Sequence, residues 1–210
     1  MKVLLVNGSP HREGCTYTAL AEVARTLEAE GIAAEFFQLG TEPISGCIAC
    51  GHCATAGACV FDDCVNEFVA LAAGADGFVF GSPVHYASAT GAITSFMDRA
   101  FYSSGGSHRG AFRLKPAACV VSARRAGTTA ALDQLLKYLT ISEMPVISSQ
   151  YWAMVHGNTP AEVRQDLEGM QIMRTLGRNM AWFLKCKEAA ARAGIPLPER
   201  ERGVATNFVR

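Results

Sequence analysis

A chain of 210 residues, half of them hydrophobic, with 19 basic against 19 acidic side chains, holds one sizeable core and has no charge bias toward nucleic acid or acidic lipid. No stretch approaches the roughly 18 apolar residues of a membrane span, and the apolar run in MKVLLVNGSP is too short for a signal peptide. The expectation is a cytoplasmic protein with reduced thiols, in which eight cysteines point to chemistry before they point to disulfides.

In chain order, residues 2–6 (KVLLV) read as a first strand and 16–30 as an amphipathic helix. A second strand at 34–39 precedes a cysteine-rich loop and a helix at 62–73. A third strand at 77–81, a helix at 88–101, a fourth strand at 117–122 and a helix at 127–140 follow, then a fifth strand at 145–149 and a long helix at 160–191. Five strands alternating with helices predict a parallel sheet covered on both faces. Residues 1–192 form that domain, and 193–210, with their breakers and the run Glu199-Arg200-Glu201-Arg202, form a surface or subunit-wrapping tail. In such sheets ligands bind beyond the carboxyl ends of the strands, where strand order reverses.

The loop after strand one, Asn7 to Thr16, leads into a helix whose first N–H groups lack partners. With the Ser9 and Thr16 hydroxyls and the Arg12 cation, that helix end suits an anion, above all a phosphate. No Gly-Lys-Ser/Thr closes the loop and no Gly-x-Gly-x-x-Gly is present; an ordinary turn capped by Thr16 is the alternative. The pattern G-S-P-x-x-x-G-x-T resembles the phosphate loop of the NADPH-dependent FMN reductase and iron-sulfur flavoprotein family. That resemblance implies a flavodoxin-like three-layer sandwich with strand order 2-1-3-4-5. It also implies that Ser9, His11, Arg12, Cys15, Thr16 and Tyr17 surround an FMN phosphate, Cys15 through its backbone N–H.

After strand three, Gly81 to Gly91 offers Pro83, His85, Tyr86 and Ser88 for an isoalloxazine wall and its ribityl hydroxyls. The segment is similar to the family's S-P-V-Y-x-x-S, which adds Val84, with the later Asp98-Arg99 pair in register; this chain has His85 where relatives usually carry Tyr or an apolar residue. After strand four, Ser122 to Thr128 presents backbone N–H groups for the pyrimidine side of the ring, with Ser122 and Gly127 in that turn. Arg124 or Arg125 would meet a dinucleotide phosphate, unless this is simply a solvated basic turn.

Cys47, Cys50, Cys53 and Cys59 are spaced Cys-x2-Cys-x2-Cys-x5-Cys among Gly46, Gly51 and Gly57. The spacing leaves several readings open: a compact iron-sulfur loop, zinc, a disulfide, or small residues packed beside a flavin entrance. The resemblance to iron-sulfur flavoproteins implies a 4Fe-4S cluster held by these four. Cys64, Cys119 and Cys186 read as packing residues, His52 as exposed, and Asp62-Asp63 as the cap of the following helix.

The family resemblance implies NAD(P)H-linked redox, electrons passing through FMN to a quinone, a flavin or another acceptor. Alternatives are an electron carrier between protein partners and a thiol redox-sensing binding module. A homodimer or homotetramer is implied, with Trp152 serving a neighbour's site or packing as a core or interface aromatic.

Overall fold

A computed structural model describes residues 1–106, 110–201, 204 and 206. β1 (Lys2–Asn7), α1 (Cys15–Ala29) and β2 (Ala33–Gln38) are followed by α2 (His52–Ala56), α3 (Cys64–Ala73), β3 (Gly77–His85) and β4 (Ser88–Ala89). Then come α4 (Gly91–Gly106), β5 (Ala117–Ala123), α5 (Thr128–Ile141), β6 (Met154–His156), α6 (Pro160–Gln165) and α7 (Leu167–Arg192).

Five strands pair in parallel in the order β2-β1-β3-β5-β6, the predicted 2-1-3-4-5 arrangement, and the two-residue β4 adds an antiparallel hairpin at the end of β3. Strand order reverses beside β1, and in open sheets of this kind ligands bind beyond the carboxyl ends of the strands at that point.

Successive strand residues face opposite sides of the sheet, and here both sides are apolar. Leu4, Val6, Phe78, Phe80, Cys119 and Val121 pack with α3, α4 and α5. Val3, Leu5, Val79, Ala118 and Val120 pack with α1 and α7. Phe68 of α3 centres the first layer, its ring 4.9 Å from Phe96 and 5.2 Å from Phe37. Burying each such side chain contributes about 1.5–3 kcal/mol.

In the second layer, α7 lays Met173, Leu176, Met180 and Leu184 on Leu20, Val23 and Leu27 of α1. Gly177 permits the close crossing, because a Cβ there would sit 2.8 Å from Thr26 Cβ. The buried Glu22 carboxylate accepts from Arg174 of α7 at 2.8 Å and pairs with Arg25 on its own helix, so a charge inside the crossing is held from both helices.

Several boundaries differ from the sequence reading, β3 running on to His85 instead of 81 and α4 to Gly106 instead of 101. The fifth parallel strand is Met154–His156, not 145–149. Pro145 and Ile147 bond only to Ala117, around a single bridge at Val146. The chain then leaves the sheet, with Tyr151 and Trp152 exposed, until buried Met154 and Val155 pair with β5. The helix expected over 160–191 breaks at Asp166, whose ψ of 79° leaves the helical region. Asp166 Oδ1 accepts from Gly169 N at 2.9 Å and Oδ2 from His156 N at 2.7 Å, so one carboxylate starts α7 and fixes the end of β6. Asp166→Ala is expected to cost about 1–2 kcal/mol in a urea melt, with the loss at the high end because two N–H groups lose their acceptor. The expected helix at 88–101 starts at Gly91, after the β3–β4 hairpin.

The tail returns over the body: Arg113 donates to the Pro198 carbonyl at 3.0 Å, and Arg200 pairs with Glu143 at 3.0 Å. Its residues 202, 203, 205 and 207–210, Arg202 of the charged run included, lie outside the described residues. Among the described residues no helix is long and apolar enough to cross a membrane.

Candidate functional site

The loop after β1 is folded by its own polar groups. The fully buried Asn7 amide donates to Gln38 Oε1 at 2.7 Å and to the Arg12 carbonyl at 3.3 Å, while its Oδ1 accepts from Ser9 N at 3.1 Å. Gln38 returns a bond to the Ser9 carbonyl at 2.7 Å, and Ser9 Oγ accepts from His11 N at 3.1 Å. Gly8 N donates to the Gly81 carbonyl at 2.8 Å, and a Cβ on Gly8 would sit only 2.8 Å from that oxygen. The loop is thereby pressed onto β3, leaving His11 and Arg12 exposed.

Gly14 occupies the N-cap of α1, with no side chain capping the helix. Thr16 is therefore not the cap, which corrects the ordinary-turn reading; its hydroxyl is 2.8 Å from Ser122 Oγ at the end of β5. The first N–H groups of a 15-residue helix are left facing the loop, which fits the phosphate of a bound nucleotide. The Cys15 thiol turns away, toward the Gly157 carbonyl at 3.6 Å, and burial pushes its pKa up. Tyr17 is half-buried, 4.9 Å from the ring of Phe36.

The second loop is a tight hairpin. His85 pairs with Ser88, and Tyr86 and Ala87 between them have φ of 49° and 60°, the left-handed pair typical of a two-residue turn. Neither is glycine, so each costs about 1 kcal/mol or more, and the turn holds the Tyr86 side chain fully in solvent. Pro83 and Val84 are half-buried and His85 exposed. Ser88 Oγ donates to Gln134 Oε1 at 2.6 Å, which ties the hairpin to α5.

The third loop rests on the second. Gly127 has φ of 93°, and a Cβ there would lie 2.5 Å from Ala87 Cα. Arg124 and Arg125 are exposed, and α5 also begins without a side-chain cap. Through the Thr16–Ser122 bond and the Gly127–Ala87 contact, the residues expected on three separate loops form one continuous rim.

The cysteine loop lies apart on α3 and α4. Cys47, Cys50, Cys53 and Cys59 all line one pocket of about 20 Å3, together with Phe61, Arg99 and Tyr102. Cys47 and Cys50 are exposed, Cys53 is buried and Cys59 is intermediate. Burial raises the Cys53 pKa, with the three neighbouring thiols adding to it. The donor set and its common pocket fit an iron-sulfur cluster chemically. Among the described residues, however, no three Cys, His, Asp or Glu side chains close into a ligating group, and all eight cysteines are free thiols.

The dominant polar group here is the arginine of the Asp98-Arg99 pair, which the sequence reading noted only for its register with the family. Arg99 of α4 is 1% exposed. It donates to Asp63 Oδ2 at 2.7 Å and Oδ1 at 2.8 Å, to the Ser45 and Phe61 carbonyls at 3.3 Å each, and from Nε to Cys59 Sγ at 3.1 Å. Burial works against the charged guanidinium, but Asp63 and Cys59 overcome it and hold the Arg99 pKa above its ordinary value. Burial likewise opposes the Asp63 carboxylate, and bonds from Arg99 and Val65 N hold its pKa below the ordinary value. Asp63 does cap α3, accepting from Val65 N at 3.1 Å, whereas Asp62 is exposed.

Of the remaining cysteines, Cys119 is buried and Cys64 half-buried, burial raising both pKa values. Cys186 is exposed, which corrects its assignment to packing: it lies on the outer face of α7. His52 is exposed as expected, and Trp152 is 56% exposed, outside the core, with its ring centroid 4.7 Å from that of Tyr151. A roomier cleft of about 790 Å3 lies elsewhere, between α4, α5 and the tail. Its Tyr138 already donates to Asp98, and its Arg113 to Glu143.

The sheet order and its helical layers define a flavodoxin-like α/β protein with an open polar rim at the carboxyl ends of β1, β3 and β5. The sequence profile of the NADPH-dependent FMN reductase family matches residues 1–159, and the chain belongs to that oxidoreductase family. It is similar to an iron-sulfur flavoprotein of Methanocaldococcus jannaschii, 29% identical over 194 residues that cover 88% of this chain and 98% of the relative. An iron-sulfur flavoprotein of Archaeoglobus fulgidus is 31% identical over 99 residues, 47% of this chain and 45% of the relative. Among solved structures, the fold is similar to RosB with a bound 8-demethyl-8-formylriboflavin-5'-phosphate, at TM-score 0.67 and 15% identity over 100% of this chain and 92% of that one. A flavone reductase aligns at TM-score 0.66 and 20% identity, covering 90% of this chain and 65% of that one.

Proposed function

We propose that the protein is an FMN-dependent oxidoreductase that passes electrons from NAD(P)H to a quinone, a free flavin or another acceptor. The observation that carries this reading is the continuous rim, in which the uncapped start of α1 faces a loop tied to both neighbouring loops. Bound FMN supplies the hydride and electron chemistry, so no protein acid or base is required.

The chain's own groups bind and orient. Backbone N–H groups at Cys15, Thr16 and Tyr17, with the Arg12 cation and Ser9 Oγ, would hold the phosphate. Pro83, Val84 and the Tyr86–Ala87 turn would form the wall beside the ring, with His85 at its edge. The turn from Ser122 to Gly127 offers backbone N–H groups to the ring's polar edge, and Arg124 and Arg125 stand ready for the phosphates of an incoming dinucleotide. Ser88 and Ser122 are already bonded to Gln134 and Thr16, so they serve as struts of the rim.

Protein purified without oxygen is expected to carry about one FMN per chain and to lose its yellow colour within seconds of adding NADPH or NADH. A colourless chain that refuses added FMN at micromolar concentration would end this reading.

A second reading, an electron carrier between protein partners, is favoured by the four thiols lining one pocket and by the names of the relatives. Here Cys47, Cys50, Cys53 and Cys59 would hold a 4Fe-4S cluster supplying one-electron steps. Iron and sulfide near four each per chain, with no response to either dinucleotide, would select the carrier.

A further inference from the structure

The four cysteines of the pocket are not equivalent. Cys47 and Cys50 lie exposed on a loop, and Cys53 sits on the five-residue α2 between two left-handed glycines, Gly51 and Gly57. Cys59 alone is fixed from two directions. Its backbone is clamped by the Asn66 side chain, which accepts from Cys59 N at 2.8 Å and donates to the Cys59 carbonyl at 3.0 Å. Its sulfur receives the Arg99 Nε–H at 3.1 Å.

All five N–H donors of Arg99 have acceptors: two on Asp63, two on main-chain carbonyls and one on Cys59. A planar guanidinium gripped on four of its donors has no freedom to swing. The direction of Nε toward the sulfur is thus set by Asp63 at the start of α3 together with the Ser45 and Phe61 carbonyls that bracket the cysteines. Arg99 stands on α4, the helix that begins just beyond the β3–β4 hairpin of the rim.

We infer that Arg99 is the positioning residue of Cys59, holding its sulfur as the fixed corner of a four-thiol iron-sulfur site and donating to it a hydrogen bond that raises the reduction potential of the loaded cluster. The inference rests on the cluster reading above and deepens it. A donor and a cation beside a ligand sulfur favour the more negative, reduced form, and hydrogen bonds to sulfur are among the terms that set cluster potentials. Lysine at this position keeps a charge for Asp63 and has no N–H at the place of Nε.

The test uses full-length protein, reconstituted anaerobically with iron and sulfide, as wild type and Arg99→Lys. Iron and sulfide content and an EPR-monitored redox titration are measured for both. The expected result is equal loading with a lower potential in the variant. A roughly tenfold fall in the reduced-to-oxidised ratio at fixed ambient potential corresponds to about 59 mV for a one-electron couple.

Should Arg99→Lys not fold, wild-type protein labelled with 15N-arginine decides the matter by pulsed EPR of the reduced cluster, where a coupling to one arginine nitrogen is expected. Equal potentials in the two proteins, or no 15N coupling in the wild type, overturn the role of Arg99 while leaving the cluster in place. Wild type that takes up no iron and sulfide overturns the cluster reading and this inference together.

Discussion

Asp63→Ala is expected to destabilise the protein by about 3–4 kcal/mol, read as a lower urea midpoint with an unchanged slope. The substitution leaves the fully buried Arg99 guanidinium without its carboxylate, and breaking a buried pair by removing one partner costs far more than the pair contributes. It also removes the N-cap of α3, worth about 1 kcal/mol. The estimate sits near the lower end because the Asp63 side chain is 31% exposed, so water screens part of the pair. Asp63→Asn keeps an acceptor for Val65 N and should recover about the cap's share. A loss below about 1 kcal/mol in Asp63→Ala would mean that Arg99 finds other partners, against the geometry.

The same carboxylate sets an acid limit. Its pKa is held below the ordinary value, so its contribution is complete above the unfolded pKa of about 3.9 and disappears as pH falls through the lower folded value. Wild type should therefore lose stability below about pH 4 more steeply than Asp63→Ala does. Parallel acid titrations of the two proteins would contradict this.

Gly127→Ala is expected to cost about 2–3 kcal/mol and to weaken FMN retention at least tenfold. Two effects add: a φ of 93° that an L side chain rarely adopts, and a Cβ 2.5 Å from Ala87 Cα, a backbone atom that cannot rotate away. Relief would require the third loop to lift from the Tyr86–Ala87 turn, which opens the rim. Gly31→Ala is the control, since Gly31 has φ of 78° but nothing within 4 Å of an added Cβ. It should lose only about 1 kcal/mol and keep its flavin. Equal FMN affinity in Gly127→Ala and wild type would separate the rim contact from cofactor binding.

The layered sheet was legible because its signals are local: the KVLLV run and two of its successors are apolar throughout, and helices fill the intervals. The rim was legible as three short loops, each placed at a strand's carboxyl end. Their mutual bonds were not, since nothing in a linear chain links Thr16 to Ser122 or Gly127 to Ala87. The role of Arg99 was hidden for the same reason: the sequence shows it only as half of the Asp98-Arg99 pair, and Asp63 and Cys59, which hold it buried, lie 36 and 40 positions away. The fifth strand was misplaced because the PVISS stretch offers β-branched residues while only one of them, Val146, bridges to the sheet; packing on β5 overrode propensity.

The crossing of α1 and α7 bears on how much of the chain the phosphate loop depends on. The helix whose open tip begins the phosphate loop is backed by side chains contributed after residue 166, and Glu22 finds one of its two cations there. The stretch of 159 residues recognisable by family resemblance is consequently not a self-sufficient body. Severed from its final helix it would present a bare greasy flank and a stranded carboxylate, and the ligand-gripping end of α1 would lose its backing.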